Sequence, residues 1–311
     1  MSLNQTPNTF RALLGQEAKP LDHARMMALL DDMAIRYPFL SVAYIGESMM
    51  GKGIPVIMLG EGEKSIVYVG AQKGTEWMTS LLLLRMVGEY CELYQCRSQL
   101  FHYSMPYLFS SRTLYVIPML NPDGVEYHLH GVQPEHVLYD RLLGMNEGST
   151  DFSQWNANAR GVDLTRNYNY QFACAKQAES EAEIGLGAPA GYSGQEPESE
   201  PETGHFCNYL RFHPKIHLLL ELRAQEQGIA YLPHQNYIPR TGSIAEILSR
   251  TSGYPKYCME ESELYGDLIG WCEEELHIPA FRVGCGSGGV ETAFSRYTRI
   301  REMLFMAPSL I

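Results

Sequence analysis

The sequence has no apolar run near the roughly 20 residues that a helix needs to cross a bilayer. It has no basic-then-apolar segment near residue 1, so we expect no secretory signal. Positive charge is scarce: 24 Lys and Arg face 36 Asp and Glu, for a formal net charge of -12. This balance argues against nucleic acid or an anionic membrane as the main partner.

The sequence also lacks any Cys-x-x-Cys pair, and its seven cysteines are widely scattered. This pattern favours reduced thiols, and we expect a cytoplasmic protein. No internal repeat is visible. With 45% hydrophobic and 19% charged residues, the 311-residue chain has enough apolar material for one large core or two modest domains.

Apolar strand-like runs alternate with segments of helical periodicity after a lead-in over residues 1–19. We predict strands at 42–45, 54–59, 66–69, 101–105, 114–118, 216–222 and 280–283, and helices at 21–37, 76–94, 202–212, 242–251, 264–275 and 291–305. A long loop region is predicted over 125–175 and an exposed acidic loop over 176–203. Strands that alternate with helices imply a parallel or mixed sheet with helices on both faces.

One strand-to-helix junction organises the rest of the chain. A buried strand ends at Val69, two glycines bracket the following turn, and Thr75 is placed to cap the next helix. Lys73 and Glu76 therefore lie at the carboxyl end of a strand, where sites form in open α/β sheets.

Two other predicted strands end at the same edge of the sheet. They end near residues 222 and 283, which places Arg223 and Gly284 on one rim with Lys73.

Seven segments, in order from about residue 20 to the C-terminus, resemble motifs of the M14 zinc carboxypeptidases, closest to the bacterial branch of γ-D-glutamyl peptidases. They are Tyr44-Ile-Gly-Glu-Ser48, Lys73-Gly-Thr-Glu-Trp77, Asn121-Pro-Asp-Gly124, Ala159-Arg-Gly-Val-Asp-Leu-Thr-Arg-Asn167, Ser199-Glu-Pro-Glu-Thr203, Leu220 to Tyr231, and Gly266 to Gly286. The resemblance implies a single α/β domain over residues 20–311, with a twisted mixed sheet of about eight strands and helices on both faces.

The resemblance also assigns the family's catalytic positions to residues of this chain. The two zinc-binding histidines correspond to Lys73 and Arg223, and the zinc-binding glutamate is kept as Glu76. The general-base glutamate corresponds to Gly284. Arginine cannot ligate a metal, and an ordinary lysine is protonated at neutral pH. We therefore expect no zinc, no other cofactor, and no catalytic residue at this rim.

The motif that grips a substrate carboxylate in the family is partly kept. Its asparagine is replaced by Thr165, Arg166 is retained, and Asn167 follows. A further cation of the family corresponds to Asn156. Counting the rim as Lys73 and Arg223 against one carboxylate gives an excess of one positive charge, which suits a peptide-like or small anionic ligand. We predict ligand binding by Thr165, Arg166, Asn167, Lys73 and Arg223.

Two other functions stay open on sequence grounds. The chain could be an active zinc carboxypeptidase or amidase that draws other ligands, such as Glu221 or a histidine of the 125–175 region, into the site. Alternatively, it could be a structural or regulatory protein that acts through a protein partner and binds no small ligand.

Overall fold

Eight strands form one mixed β-sheet that positions the rim. The structure, a computed structural model, describes residues 19–101, 103–213, 215–232, 238 and 240–311. Its strands are β1 (Ser41–Glu47), β2 (Gly53–Leu59), β3 (Lys64–Val69), β4 (Gln99–Leu100), β5 (Tyr103–Ser104), β6 (Arg112–Ile117), β7 (Ile216–Arg223), β8 (Gly228–Tyr231), β9 (Lys256–Cys258) and β10 (Ala280–Gly284). The order in the main sheet is β1-β2-β6-β3-β7-β10-β8-β9, while β4 and β5 form a separate ribbon.

The centre of the sheet is parallel, antiparallel pairs flank it on both sides, and the edge strand β9 runs parallel to β8. Strand β3 runs parallel to β6 and β7, and β7 runs parallel to β10. Antiparallel pairing joins β1 to β2, β2 to β6, and β8 to β10. Gly284 is paired with Arg223, and Val69 with Glu221, so the carboxyl ends of β3, β7 and β10 meet at one edge.

Helices cover both faces of this sheet, as expected. They are α1 (His23–Arg36), α2 (Trp77–Gln95), α3 (Met105–Ser111), α4 (Pro122–His130), α5 (Tyr139–Met145), α6 (Phe172–Glu181), α7 (Pro201–Arg211), α8 (Thr241–Ser252), α9 (Leu268–Trp271) and α10 (Val290–Met306). None of the helices in the described ranges is long and apolar enough to span a membrane.

Strand β3 shows how the sequence divides between the two cores. Its successive side chains point to opposite faces. Ile66 and Tyr68 pack in the core that also contains α2 and α10, whereas Val67 and Val69 pack in the core that contains α7 and α9. All four are fully buried, which is why this strand has a continuous apolar sequence instead of an alternating one.

The predicted α/β architecture is confirmed, and the differences are local. The region 125–175 contains most of α4, all of α5 and the start of α6 instead of one long loop, and β8 and β9 were not predicted. The helix predicted over 264–275 begins at Leu268, because Asp267 caps it, and passes into a π-helical turn over Cys272–Leu276. Residues 1–18 of the predicted lead-in lie outside the described residues.

Candidate functional site

The junction after β3 is held by close backbone contacts. A short 3-10 turn over Gly74–Glu76 precedes α2. A Cβ atom at Gly74 would lie 2.4 Å from the carbonyl oxygens of both Gly124 and Trp155, so only glycine fits there. Thr75 does not cap α2 as predicted; its hydroxyl donates a hydrogen bond to Asn156 Oδ1 at 2.6 Å. These contacts fix where Lys73 and Glu76 enter the rim.

A buried ion pair joins two of the predicted site residues. Arg223 Nε donates to Glu76 Oε1 at 2.7 Å, and the two side chains are only 5% and 4% exposed. Arg223 Nη1 also donates to Glu221 Oε1 at 3.1 Å. Burial alone would lower the pKa of Arg223, but the carboxylates of Glu76 and Glu221 raise it, so the guanidinium stays charged.

The pair extends into a chain of buried charges. Arg282 Nε donates to Glu221 Oε2 at 2.8 Å, and Arg282 Nη2 donates to Asp267. Burial would raise the pKa of Glu221, but Arg282 and Arg223 lower it. Gln72 adds a hydrogen bond to Glu221 at 2.5 Å. Both oxygens of Glu221 are therefore engaged with protein donors.

Lys73 has a different partner, which sequence reasoning missed. Its Nζ lies 3.6 Å from Asp163 Oδ2, and the lysine side chain is 25% exposed. Thr165 Oγ1 donates to Asp163 Oδ1 at 2.6 Å. Burial would raise the pKa of Asp163, but Lys73, Thr165 and Arg223 hold it at about 2. Asp163 is therefore ionised at neutral pH.

These partners correct the expected charge of the rim. The network contains three cations, Lys73, Arg223 and Arg282. It also contains the four carboxyl groups of Glu76, Asp163, Glu221 and Asp267, the last with a pKa that burial raises. The predicted excess of one positive charge is therefore wrong for the cluster as a whole. The sequence signal for Arg282 was present, because it is the one charged residue in an otherwise apolar strand, β10.

Gly284 is part of the sheet, with no space around it for a side chain. It is buried at the end of β10, and a Cβ atom there would lie 1.9 Å from the backbone oxygen of Glu226. The chain after β7 thus occupies the space where any side chain at position 284 would begin. The neighbouring Cys285 is a fully buried thiol whose pKa is raised by burial, which makes it a poor nucleophile.

Arg166 differs from the other arginines of the site because no described residue forms a hydrogen bond or ion pair with its guanidinium. It ends a 3-10 turn over Leu164–Arg166 that Asp163 caps, and its backbone oxygen packs against Gly266. The residue is half-buried. Within the described ranges, its side chain makes no hydrogen bond or ion pair. A partly desolvated guanidinium in this state is suited to an anionic ligand.

Thr165 and Asn167 are both committed to protein contacts. The Thr165 hydroxyl bonds Asp163, and the fully buried Asn167 amide donates to Ser193 O at 2.7 Å and to Glu196 O at 3.1 Å. A contribution of Asn167 to ligand binding would therefore act through the loop that it holds in place.

The residues at the rim do not fit zinc. A catalytic zinc site needs three neutral or anionic protein ligands. Here an arginine occupies one oxygen of Glu76, and Lys73, which the family resemblance aligns with a zinc-binding histidine, is paired with the carboxylate of Asp163. Among the described residues, no group of three or more His, Cys, Asp or Glu could hold a metal ion. The second oxygen of Glu76 is buried and has no hydrogen-bond partner in the part of the chain that the structure describes.

Comparisons with known proteins agree with this fold. The family model for peptidase M14, zinc carboxypeptidase, matches residues 26–261. The chain is 29% identical over 294 residues to gamma-D-glutamyl-L-diamino acid endopeptidase 1 of Lysinibacillus sphaericus. The matched segment covers 94% of this chain and 72% of that protein. The chain therefore belongs to the peptidase M14 zinc carboxypeptidase family.

Solved structures show the same architecture at low sequence identity. Thrombin activatable fibrinolysis inhibitor has a TM-score of 0.70 at 18% identity, over 98% of this chain and 74% of that one. Carboxypeptidase A from Helicoverpa armigera has a TM-score of 0.71 at 13% identity, over 97% and 78% of the two chains. The expected family and fold are thus confirmed.

Proposed function

We propose that this protein is a zinc-free member of its family that binds a peptide-like or small carboxylate ligand at the rim and does not hydrolyse it. The observation that carries this proposal is the pairing of Arg223 with Glu76 at 2.7 Å, because it puts a permanent cation where the family binds a metal. The absence of space at Gly284 supports the loss of catalysis, because no other side chain can start at that position.

Binding is supported by Arg166. Its half-buried guanidinium can donate two parallel hydrogen bonds to a carboxylate. A carboxylate, such as the one at the end of a peptide, is therefore the ligand group that this side chain fits. We also propose a cytoplasmic location, supported by seven unpaired cysteines.

The test combines metal analysis with ligand titration. Untagged protein, purified without chelator, is analysed for zinc by mass spectrometry, and N-acetylglycine is titrated by calorimetry into wild type and Arg166→Gln. We expect far less than one zinc per chain, and binding that weakens about tenfold or more in the variant, as for the loss of a charge-assisted hydrogen bond. Lys215→Gln, on an exposed side chain, is the control.

Two results would overturn the proposal. About one tightly held zinc per chain, with release of amino acids from peptides, would establish the alternative of an active peptidase. Equal N-acetylglycine affinity in wild type and Arg166→Gln, or no binding at all, would remove the ligand site. The alternative is disfavoured by Glu221, because both of its oxygens already accept hydrogen bonds from protein groups.

A further inference from the structure

A second cleft, of about 350 Å³, lies beside the rim. Val162, the residue before Asp163, forms part of its wall, and Arg141, Arg160, Tyr192 and the 194–200 segment contribute others. The volume is at the lower end of the range of roughly 300–1,000 Å³ that is typical of small-molecule sites. Its polar groups have contacts that distinguish it from an ordinary surface depression.

The cleft contains two arginines with little internal pairing. Arg141, on α5, is exposed, and it makes no hydrogen bond or ion pair with any residue in the described ranges. Arg160 is 40% exposed, and its nearest carboxylate contact, to Glu200 Oε1, is long at 3.8 Å. Most of the ten N–H donors of the two guanidinium groups are therefore free to bind a ligand.

Glu200 does not form a close ion pair with either arginine, because both of its carboxylate oxygens accept hydrogen bonds from other residues. It is 3% exposed. Its Oε2 accepts a hydrogen bond from Asn158 at 2.7 Å, and its Oε1 accepts one from Ser199 Oγ at 3.0 Å. Two cations therefore face one committed carboxylate in this cleft, on a chain whose formal net charge is -12.

Part of the remaining wall is apolar, formed by Val162, Leu186 and the ring of Tyr192, while Gln195 and Ser199 contribute polar groups. Tyr192 is 5% exposed, and Lys176 Nζ lies 4.6 Å from its ring centroid, so the ring is held in place. Leu186, in contrast, is 80% exposed at the same cleft. A ligand with an apolar part would cover Leu186, and each exposed apolar surface removed from water favours binding.

We infer that this cleft is a second binding site, for a small organic carboxylate that carries an apolar or aromatic group. Arg141 and Arg160 bind the carboxylate, and Tyr192, Leu186 and Val162 contact the apolar group. A carboxylate is favoured over a phosphate dianion because the buried Glu200 charge would repel the second negative charge.

The cleft is adjacent to the rim but uses different charged groups. Asp163 N donates to Tyr192 O at 2.7 Å, so the two sites share a wall. None of Lys73, Arg166 and Arg223 lines the cleft. Its occupancy can therefore be tested separately from ligand binding at the rim.

The experiment is a titration of phenylacetate, followed by ligand-observed NMR and calorimetry. Wild type, Arg141→Gln, Arg160→Gln, Arg166→Gln and the surface control Lys215→Gln are compared, with benzyl alcohol and inorganic phosphate as the other probes. Arg141→Gln and Arg160→Gln are expected to weaken phenylacetate binding about tenfold each. Lys215→Gln is expected to leave it unchanged, and benzyl alcohol to bind much more weakly. Because the rim is itself proposed to bind small carboxylates through Arg166, both cleft substitutions are also made in the Arg166→Gln background, where the same losses of about tenfold are expected.

Each contrary outcome overturns the inference. Phenylacetate that fails to bind wild type at about 10 mM, a very weak affinity, would exclude the site. Equal binding to wild type and both cleft variants would place the ligand elsewhere, and loss only in Arg166→Gln would place it at the rim. Phosphate that binds through Arg141 and Arg160 while phenylacetate does not would refute the ligand class.

Discussion

Replacement of Arg223 by methionine is the most direct test of the charge network. Methionine keeps the length and much of the volume of the side chain but removes the guanidinium. Glu76 would lose its 2.7 Å ion pair, and Glu221 would lose one of its two arginines while remaining fully buried. Removal of one partner of a buried ion pair leaves an uncompensated charge and typically costs about 3–5 kcal/mol.

Equilibrium unfolding in urea would measure this loss directly. Because the unfolding entropy scales with chain length, a loss of this size in a 311-residue chain should also lower Tm by roughly 5–8 °C. Arg282 and Arg223 lower the pKa of Glu221, so the stability that this pairing contributes is present above the unfolded pKa near 4.5, and the difference between variant and wild type should shrink as the pH falls below that value. Lys215→Met is the matched control: its ion pair with Glu63 is 64% and 90% exposed and should contribute less than about 1 kcal/mol.

A double-mutant cycle isolates the contact between the two site residues. Arg223→Met combined with Glu76→Gln should be less destabilised than the sum of the single variants, with a coupling of about 1–3 kcal/mol. A loss below about 1 kcal/mol in Arg223→Met, or additive effects in the cycle, would refute the view that this ion pair holds the rim together.

Three further predictions follow from neighbouring contacts. Gly284→Ala should destabilise by roughly 1–3 kcal/mol in urea, because its Cβ would meet a backbone oxygen at 1.9 Å, whereas Gly144→Ala, with nothing within 4 Å, should not. Burial raises the pKa of Glu273 to about 8. Compared with a glutamine at this position, the wild-type side chain therefore costs no stability below the unfolded pKa near 4.5, and it destabilises the fold as the pH rises through 8. Glu273→Gln should be more stable than wild type at pH 9 and equal to it at pH 4. Asp163→Asn should leave Lys73 unpaired and tighten N-acetylglycine binding several-fold; unchanged or weaker binding would contradict this role for Asp163.

Local sequence determined the central strands and the long helices. The apolar runs of β3, β6, β7 and β10 are buried on both faces, so their patterns are strong and their bounds were predicted within a few residues. The helix at Pro122–His130 was missed because Asn121-Pro-Asp-Gly124 forms a turn in which Asn121 Oδ1 accepts from Gly124 N. The same backbone turn can stand alone or form the first turn of a helix, and the local sequence does not show which of the two occurs.

Short strands were missed for a related reason. Strand β8 has four residues and β9 has three, too few for a clear periodicity, and both depend on pairing with neighbours far away in the chain. Strand β8 forms because it pairs with β10, and β9 forms because it pairs with β8. No property of the two segments themselves predicts these strands.

For the site, the sequence resemblance predicted which residues take the family's positions, and only the tertiary structure decided their partners. Lys73, Glu76, Arg223 and Gly284 could be placed on one rim because parallel strands end at the same edge. The pairing of Lys73 with Asp163 links residues 90 positions apart, through a loop that carries no strong pattern. Electrostatic pairing depends on distance and burial, which the fold sets, and for that reason the charge of the rim was not readable from its residues alone.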